Sequence, residues 1–340
     1  MNATMSLENV IHQPVMLNQI LSIISPQHGG TFVDCTFGGG GYSKAILKYP
    51  NTKVVAIDRD SSTQKYANVL KEKFPKRFTF TQNKFSNLNK IVREDLNPKA
   101  VIFDLGLSSF QLADDKRGFS FKSNSNKSFL SMQMGINKYS AYDVINKLDK
   151  TSLTNIIKIL GEEKDGKRIA NKIVKCRAIN KIKTPEELVN IINSVKKNNK
   201  NYKKNPATKT FQALRIFVNM ELTELLEGLI KATKLLSKNG ILIVVSFHSL
   251  EDRIVKYFFN LYSNLKNNPS RYMPPENNKS ILFKIIKKKL SVPESSEIKK
   301  NTRSRSAKLR YAIRNESLFF YPKELEKKFF NYFKLESMKI

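Results

Sequence analysis

The sequence predicts an α/β fold: a mostly parallel, Rossmann-like sheet with a helical domain inserted in it. Three observations carry this. Short apolar runs alternate with helical segments from residue 31 to 105. The run Asp34-Cys-Thr-Phe-Gly38-Gly-Gly40-Gly41-Tyr42 places a glycine turn directly after the first of those runs. A strongly apolar stretch, Ile241–Phe247, returns after about a hundred residues without a convincing strand.

The elements follow in order. Thr31–Phe37, Lys53–Asp58, Phe78–Gln82 and Ala100–Leu105 read as strands. Tyr42–Lys48, Ser61–Phe74 and Ser86–Arg93 read as the helices between them. Apolar runs of this length, separated by helices, belong to a sheet covered on both faces. From about 112 the patterning turns helical: Tyr139–Leu148, Ser152–Leu160, Lys164–Arg177 and a helix from Thr184 to about Val195. Thr184, Pro185 and Glu187 fit an N-cap, a first-turn proline and a capping box. Lys196–Lys209 is lysine-rich without an acid and reads as a basic connector. A long helix is expected over Phe211–Leu236, closed by Lys238-Asn239-Gly240. Ile241–Phe247 is the next strand, Ser249–Phe259 a helix, Ile281–Ile286 an edge strand and Lys308–Arg314 the last strand. The expected division is 1–111 with 206–320 as a cofactor-binding domain, 112–205 as the helical insertion, and 321–340 as a basic, aromatic tail.

Lys plus Arg number 60 against 29 Asp plus Glu, a net charge of +31. Such an excess suits a polyanionic partner, although Lys and Asn are abundant throughout the chain. The two cysteines, Cys35 and Cys176, have neither metal-ligand spacing nor disulfide logic. No apolar run is long enough to span a membrane, and the first residues show no secretory or transit pattern. The expectation is a cytoplasmic protein without metal or membrane. The sequence leaves its oligomeric state open, a homodimer included.

Asp58 follows the glycine turn by roughly 20 residues, the distance at which a carboxylate at the next strand tip reaches a ribose hydroxyl. The turn is therefore expected to lie against an adenosine-containing cofactor. The dinucleotide fingerprint needs a third glycine where this chain has Ser43 or Lys44. The spacing fits instead the looser turn of S-adenosylmethionine enzymes, with Asp34 expected to face the methionine ammonium. Asp104, ending a buried strand before Gly106, and His248, at the end of the late apolar strand, are the other strand-end candidates. Glu251 and Asp252 are expected to cap the helix that follows.

The segments HQPVML (12–17), DCTFGGGGYS (34–43), AIDRD (56–60), DLGLSSFQL (104–112), RGFSF (117–121), NPATKTFQALRIFVN (205–219), SFHSLEDRIVK (246–256) and RSRSAKLR (303–310) resemble the bacterial 16S ribosomal RNA cytosine-N4 methyltransferase family, in order and over nearly the whole chain. The resemblance implies a class I S-adenosylmethionine-dependent methyltransferase fold and a cytidine of the decoding centre, within the small ribosomal subunit, as substrate. It places cofactor contacts on Gly40, Gly41, Tyr42, Asp58, Phe85, Asp104 and Gln111. For chemistry, Asp104, with the Leu105 and Gly106 carbonyls, is the expected partner of the N4 amine, and His248 is the second catalytic candidate. Phe110, Phe119, Phe121 and Phe247 are candidate stackers for the target base. Lys196–Lys209 and Arg303, Arg305, Lys308 and Arg310 are expected to meet phosphates. Departures from the family pattern fall at Gln19, Tyr42 (histidine in the family), Ser131, Gln133, Gly135 and Asn205. They keep a second reading in view, a non-catalytic assembly factor using the same RNA surface. A nicotinamide oxidoreductase is disfavoured by the absent third glycine.

Overall fold

The computed structural model describes residues 14–121, 128–196, 205–263, 281–285 and 290–340. His12, Gln13, most of the basic connector and the final residue of the expected 281–286 strand lie outside them. The chain forms two compact units, one of Met1–Gly106 with Leu226–Leu325, the other of Leu107–Leu225 with Glu326–Ile340.

The first unit is built on a seven-stranded sheet: β1 (Gly30–Asp34), β2 (Thr52–Asp58), β3 (Phe78–Gln82), β4 (Ala100–Asp104), β5 (Ile241–Ser246), β6 (Phe283–Lys284) and β7 (Lys308–Arg314). Their order is β3-β2-β1-β4-β5-β7-β6. β1 to β5 are parallel, and β7 runs antiparallel to β5 and β6. This is the mostly parallel, Rossmann-like arrangement that the sequence leads one to expect. Helices α1 (Leu17–Ile24), α2 (Gly41–Leu47), α3 (Gln64–Lys73) and α4 (Leu88–Ile91) accompany β1 to β4. Phe32, Val33, Val101, Ile102, Phe103, Leu242 and Ile243 are wholly buried, as central strands covered on both faces must be. The chain steps outward from β1 through β2 to β3, then returns to lay β4 on the other side of β1. That reversal is a topological switch point, and the crevice off the carboxyl ends of β1 and β4 is where open α/β sheets bind ligands. Asp34 and Asp104 end those two strands.

The second unit is helical among its described residues: α5 (Ser109–Ala113), α6 (Ala141–Lys147), α7 (Lys150–Asn155), α8 (Gly166–Arg177), α9 (Pro185–Val195) and α10 (Thr208–Asn219). The capping box at Thr184 is formed as its spelling suggests. A π turn over Ile156–Leu160 extends α7. The buried Lys196 ammonium meets Glu163 at 2.5 Å and donates to the Pro206 carbonyl at 2.6 Å. The first residue of the expected basic connector is thus an internal ion pair rather than a phosphate contact.

The single helix expected over Phe211–Leu236 is two, α10 and α11 (Glu221–Leu235), with Met220 left-handed at φ 52° between them. The cause is Asn219. Its fully buried amide donates to the Met132 and Arg215 carbonyls and accepts from the Met134 N–H and the Asn137 amide. A side chain held this completely fixes where the helix stops, while the apolar periodicity runs on through the break. α11 carries the chain from the helical unit into the sheet unit. There α12 (Ser249–Tyr262) and α13 (Ser295–Lys300) follow, before α14 (Lys323–Lys328) and α15 (Phe330–Glu336). The edge strand expected over Ile281–Ile286 is reduced to the two residues of β6.

Candidate cofactor and active site

At the end of β1, Asp34 is fully buried; it accepts from the Ser43 hydroxyl at 2.7 Å and from the Thr36 N–H at 3.3 Å. Burial pushes its carboxyl up to about 6, against the lowering effect of those bonds. Asp34 therefore braces the glycine turn from within, instead of presenting both oxygens to a ligand. Asp58 closes the same turn from β2. Its oxygens accept the Gly38 N–H at 2.7 Å and the Asp60 N–H at 2.9 Å, and burial raises it to about 6. Each oxygen keeps a second lone pair, so Asp58 can still take a hydroxyl.

The close approach that the glycines allow is to protein. A Cβ at Gly41 would stand 2.2 Å from the Pro14 ring, and one at Gly40, at φ +76°, 2.8 Å from the Phe37 ring. Pro14–Val15–Met16 is thereby laid over the turn. Tyr42 secures it: its ring is buried in the core and its hydroxyl donates to the Val15 carbonyl at 2.5 Å. Glu297 of α13 holds the same segment by accepting the Met16 N–H at 2.8 Å. Glu297 was not foreseen, and nothing in its polar, basic sequence neighbourhood distinguishes it.

Asp104, at the end of β4, is placed differently. Its N–H donates to the Thr36 hydroxyl at 2.7 Å, but its Oδ1 is shut off from water and has no hydrogen-bond partner. Burial pushes its carboxyl up to about 8. The charge of Asp34 adds to this, Glu251 and Glu297 contribute less, and the Tyr42 hydroxyl works the other way. The one phenolic proton of Tyr42 is given to Val15. Within a molecule of net charge +31, this strand-end pocket gathers Asp34, Asp104, Glu251 and Glu297.

Phe85, just past β3, stands edge-on to Phe103 with centroids 5.3 Å apart. Gly228 of α11 makes room for both rings, since a Cβ there would meet Phe85 at 2.7 Å and Phe103 at 3.0 Å. His248 is the N-cap of α12. Its ring accepts the Glu251 N–H at 3.4 Å, and Glu251 returns bonds to the backbone N–H groups of Phe247 and His248 at 2.8 and 3.2 Å. His248 Nε2 lies 3.1 Å from the same carboxylate. Glu251 caps as expected. Asp252 does not: it accepts from Lys308 at 3.0 Å and Arg310 at 2.7 Å, so these two cations of the expected phosphate-binding run share one carboxylate within the fold. In the helical unit, Gln111 is buried and completes the capping box of α5 with Ser108. Ser131 and Gln133 bond to each other, and Gln133 donates to the Tyr139 carbonyl. Phe121 packs edge-on to Phe211, Phe119 is buried, and Phe247 lies over Gly106.

Comparison with known proteins gives this geometry a family. The model of the MraW methylase family matches residues 9–315. "Ribosomal RNA small subunit methyltransferase H" of Ehrlichia ruminantium (strain Gardel) is 43% identical over 305 residues, covering 89% of this chain and 99% of that protein. The protein of the same name from Orientia tsutsugamushi (strain Boryong) is 41% identical over 314 residues, covering 90% and 99%. That of Parvibaculum lavamentivorans (strain DS-1 / DSM 13023 / NCIMB 13966) is 41% identical over 305 residues, covering 89% of each. Since the match runs from ahead of β1 through the helical unit to the end of β7, the chain belongs to the MraW methylase family.

Proposed function

We infer that this chain is an S-adenosylmethionine-dependent methyltransferase acting on N4 of a cytidine in the 16S RNA of the small ribosomal subunit. The observation that carries the reading is the buried, unpartnered Asp104 oxygen at the switch point, among acids and in an otherwise basic molecule. S-adenosylmethionine, when bound, supplies a methyl group on a positively charged sulfonium that is already a good leaving group. Its fit is tested by charge: a sulfonium and an ammonium are the cations that four neighbouring carboxyl groups favour.

The residues then divide the work. Asp58 holds ribose hydroxyls, and the turn at Gly40, Gly41 and Tyr42 shapes the pocket floor. Phe85 offers a ring face to the adenine. The cytosine N4 lone pair is delocalised into the ring and is a weak nucleophile. Ionised Asp104 accepts a hydrogen bond from the amine, localises that lone pair, and takes the proton N4 sheds as its new carbon bond forms. A cation beside Asp104 favours the ionised form, so occupancy of the pocket readies the base. His248 acts as a positioning residue, fixing the β5–α12 corner through Glu251. The helical unit serves RNA recognition.

The test is nucleoside mass spectrometry on unmethylated small subunits incubated with this protein and S-adenosylmethionine. N4-methylcytidine is the expected product. Subunit binding without methyl gain would instead identify an assembly factor that has lost the chemistry.

A further inference from the structure

The family match stops at residue 315, and the chain beyond it folds. α15 is held by Glu336, which is 4% exposed. One of its oxygens accepts the Leu222 N–H at 3.0 Å; the other accepts the Thr223 N–H at 2.7 Å and the Thr223 hydroxyl. Leu222 and Thr223 lie in the first turn of α11, where N–H groups lack intrahelical partners and the macrodipole favours a carboxylate. The tail thus caps α11 from a distance. Phe329, Leu335 and Glu336 form its buried face, with Phe329 stacked on Tyr332.

The opposite face bears Lys327, Phe330, Asn331 and Lys334, all exposed. Their spacing puts them on one stripe of a nearly continuous helix. Phe330 is 57% exposed, and the Lys334 ammonium lies 5.9 Å from its ring centroid. A docked aromatic ring set between two lysines, with the carboxylates of Glu324 and Glu326 one turn before it, has the composition of a stacking platform for single-stranded nucleic acid.

We propose that this tail is an RNA-binding element of the chain, with Phe330 taking an unpaired base and Lys327 and Lys334 the flanking phosphates. The occupant follows from charge complementarity and from the RNA substrate inferred above, on which the proposal rests. The experiment measures binding of the full chain to small ribosomal subunits, to a 12-nucleotide oligouridylate and to anionic phospholipid vesicles across a salt series. Losing one stacked base at about 1–3 kcal/mol makes F330A bind roughly 5- to 150-fold more weakly, and F330W restores affinity. K327A/K334A lowers the oligouridylate salt slope by about 1.4. Thermal midpoint and S-adenosylmethionine affinity stay unchanged, which separates this surface from the cofactor pocket. Unchanged affinity and slope in these variants overturn the proposal. So does a loss confined to anionic phospholipid vesicles, which would make the partner a membrane surface. If N4-methylcytidine never forms while F330A still weakens RNA binding, the catalytic reading fails and the tail's role stands.

Discussion

Burial holds the Asp104 carboxyl up at about 8, and the charges of Asp34, Glu251 and Glu297 add to it, so Asp104 keeps its proton near neutrality. Binding a cation reverses that preference and expels the proton. Calorimetry of S-adenosylmethionine binding at pH 7 in two buffers of different ionisation enthalpy is expected to show release of up to one proton, which Asp104→Asn abolishes. The unliganded fold has its own pH dependence. Asp104 ionises at the ordinary 3.8 when unfolded and at about 8 when folded, so the folded state binds more protons between these values. Its contribution to stability is present at low pH and declines as pH rises through that window, and Asp104→Asn removes the decline. Asp104→Asn should also lower kcat about 10²–10⁴-fold with the cofactor saturating. Retention of full turnover would exclude the amine role. Gly228 governs a neighbouring place. Gly228→Ala pushes a methyl group into the Phe85 and Phe103 rings, and the expected result is a higher KM for S-adenosylmethionine with kcat little changed.

At the scale of elements, the Glu163–Lys196 pair joins the end of α9 to the turn ahead of α8. Both side chains are nearly without solvent. Glu163→Gln leaves a buried ammonium without its counter-charge and is expected to cost about 3–5 kcal/mol, read as a shift in the denaturant midpoint. The central strands β1, β2, β4 and β5 were legible because each is a short apolar run bounded by turn residues, and the Thr184 cap because capping boxes have a fixed spelling. The break at Met220 was not. It depends on where Asn219 finds partners, in a loop some eighty residues earlier, as its amide donates to the Met132 carbonyl. The same holds for the site. Asp34, Asp58 and Asp104 could be read as strand-end acids. That Asp34 would be closed over by Ser43, that Glu297 would hold the Met16 backbone, and that Asp252 would absorb Lys308 and Arg310 are long-range contacts with no local signature.

For the whole molecule, the net charge of +31 makes association with ribosomal RNA a counterion-release process. An affinity loss of about 10³–10⁵ between 50 and 200 mM salt is expected if some 6–10 phosphates are contacted, and a flat dependence would deny the surface its role. The discontinuous sheet has another consequence, one of timing on the ribosome that makes the protein. β4 must pair with β5, yet about 140 residues separate Ala100 from its partner Ile241, an interval of roughly 7–28 s at ordinary elongation rates. Throughout that interval the apolar run Ala100–Phe103 has no neighbour on its far side, an edge open to other nascent chains. Slow codons between 107 and 240 are thus expected to lower the soluble yield, while the same codons placed after β7 leave it unchanged.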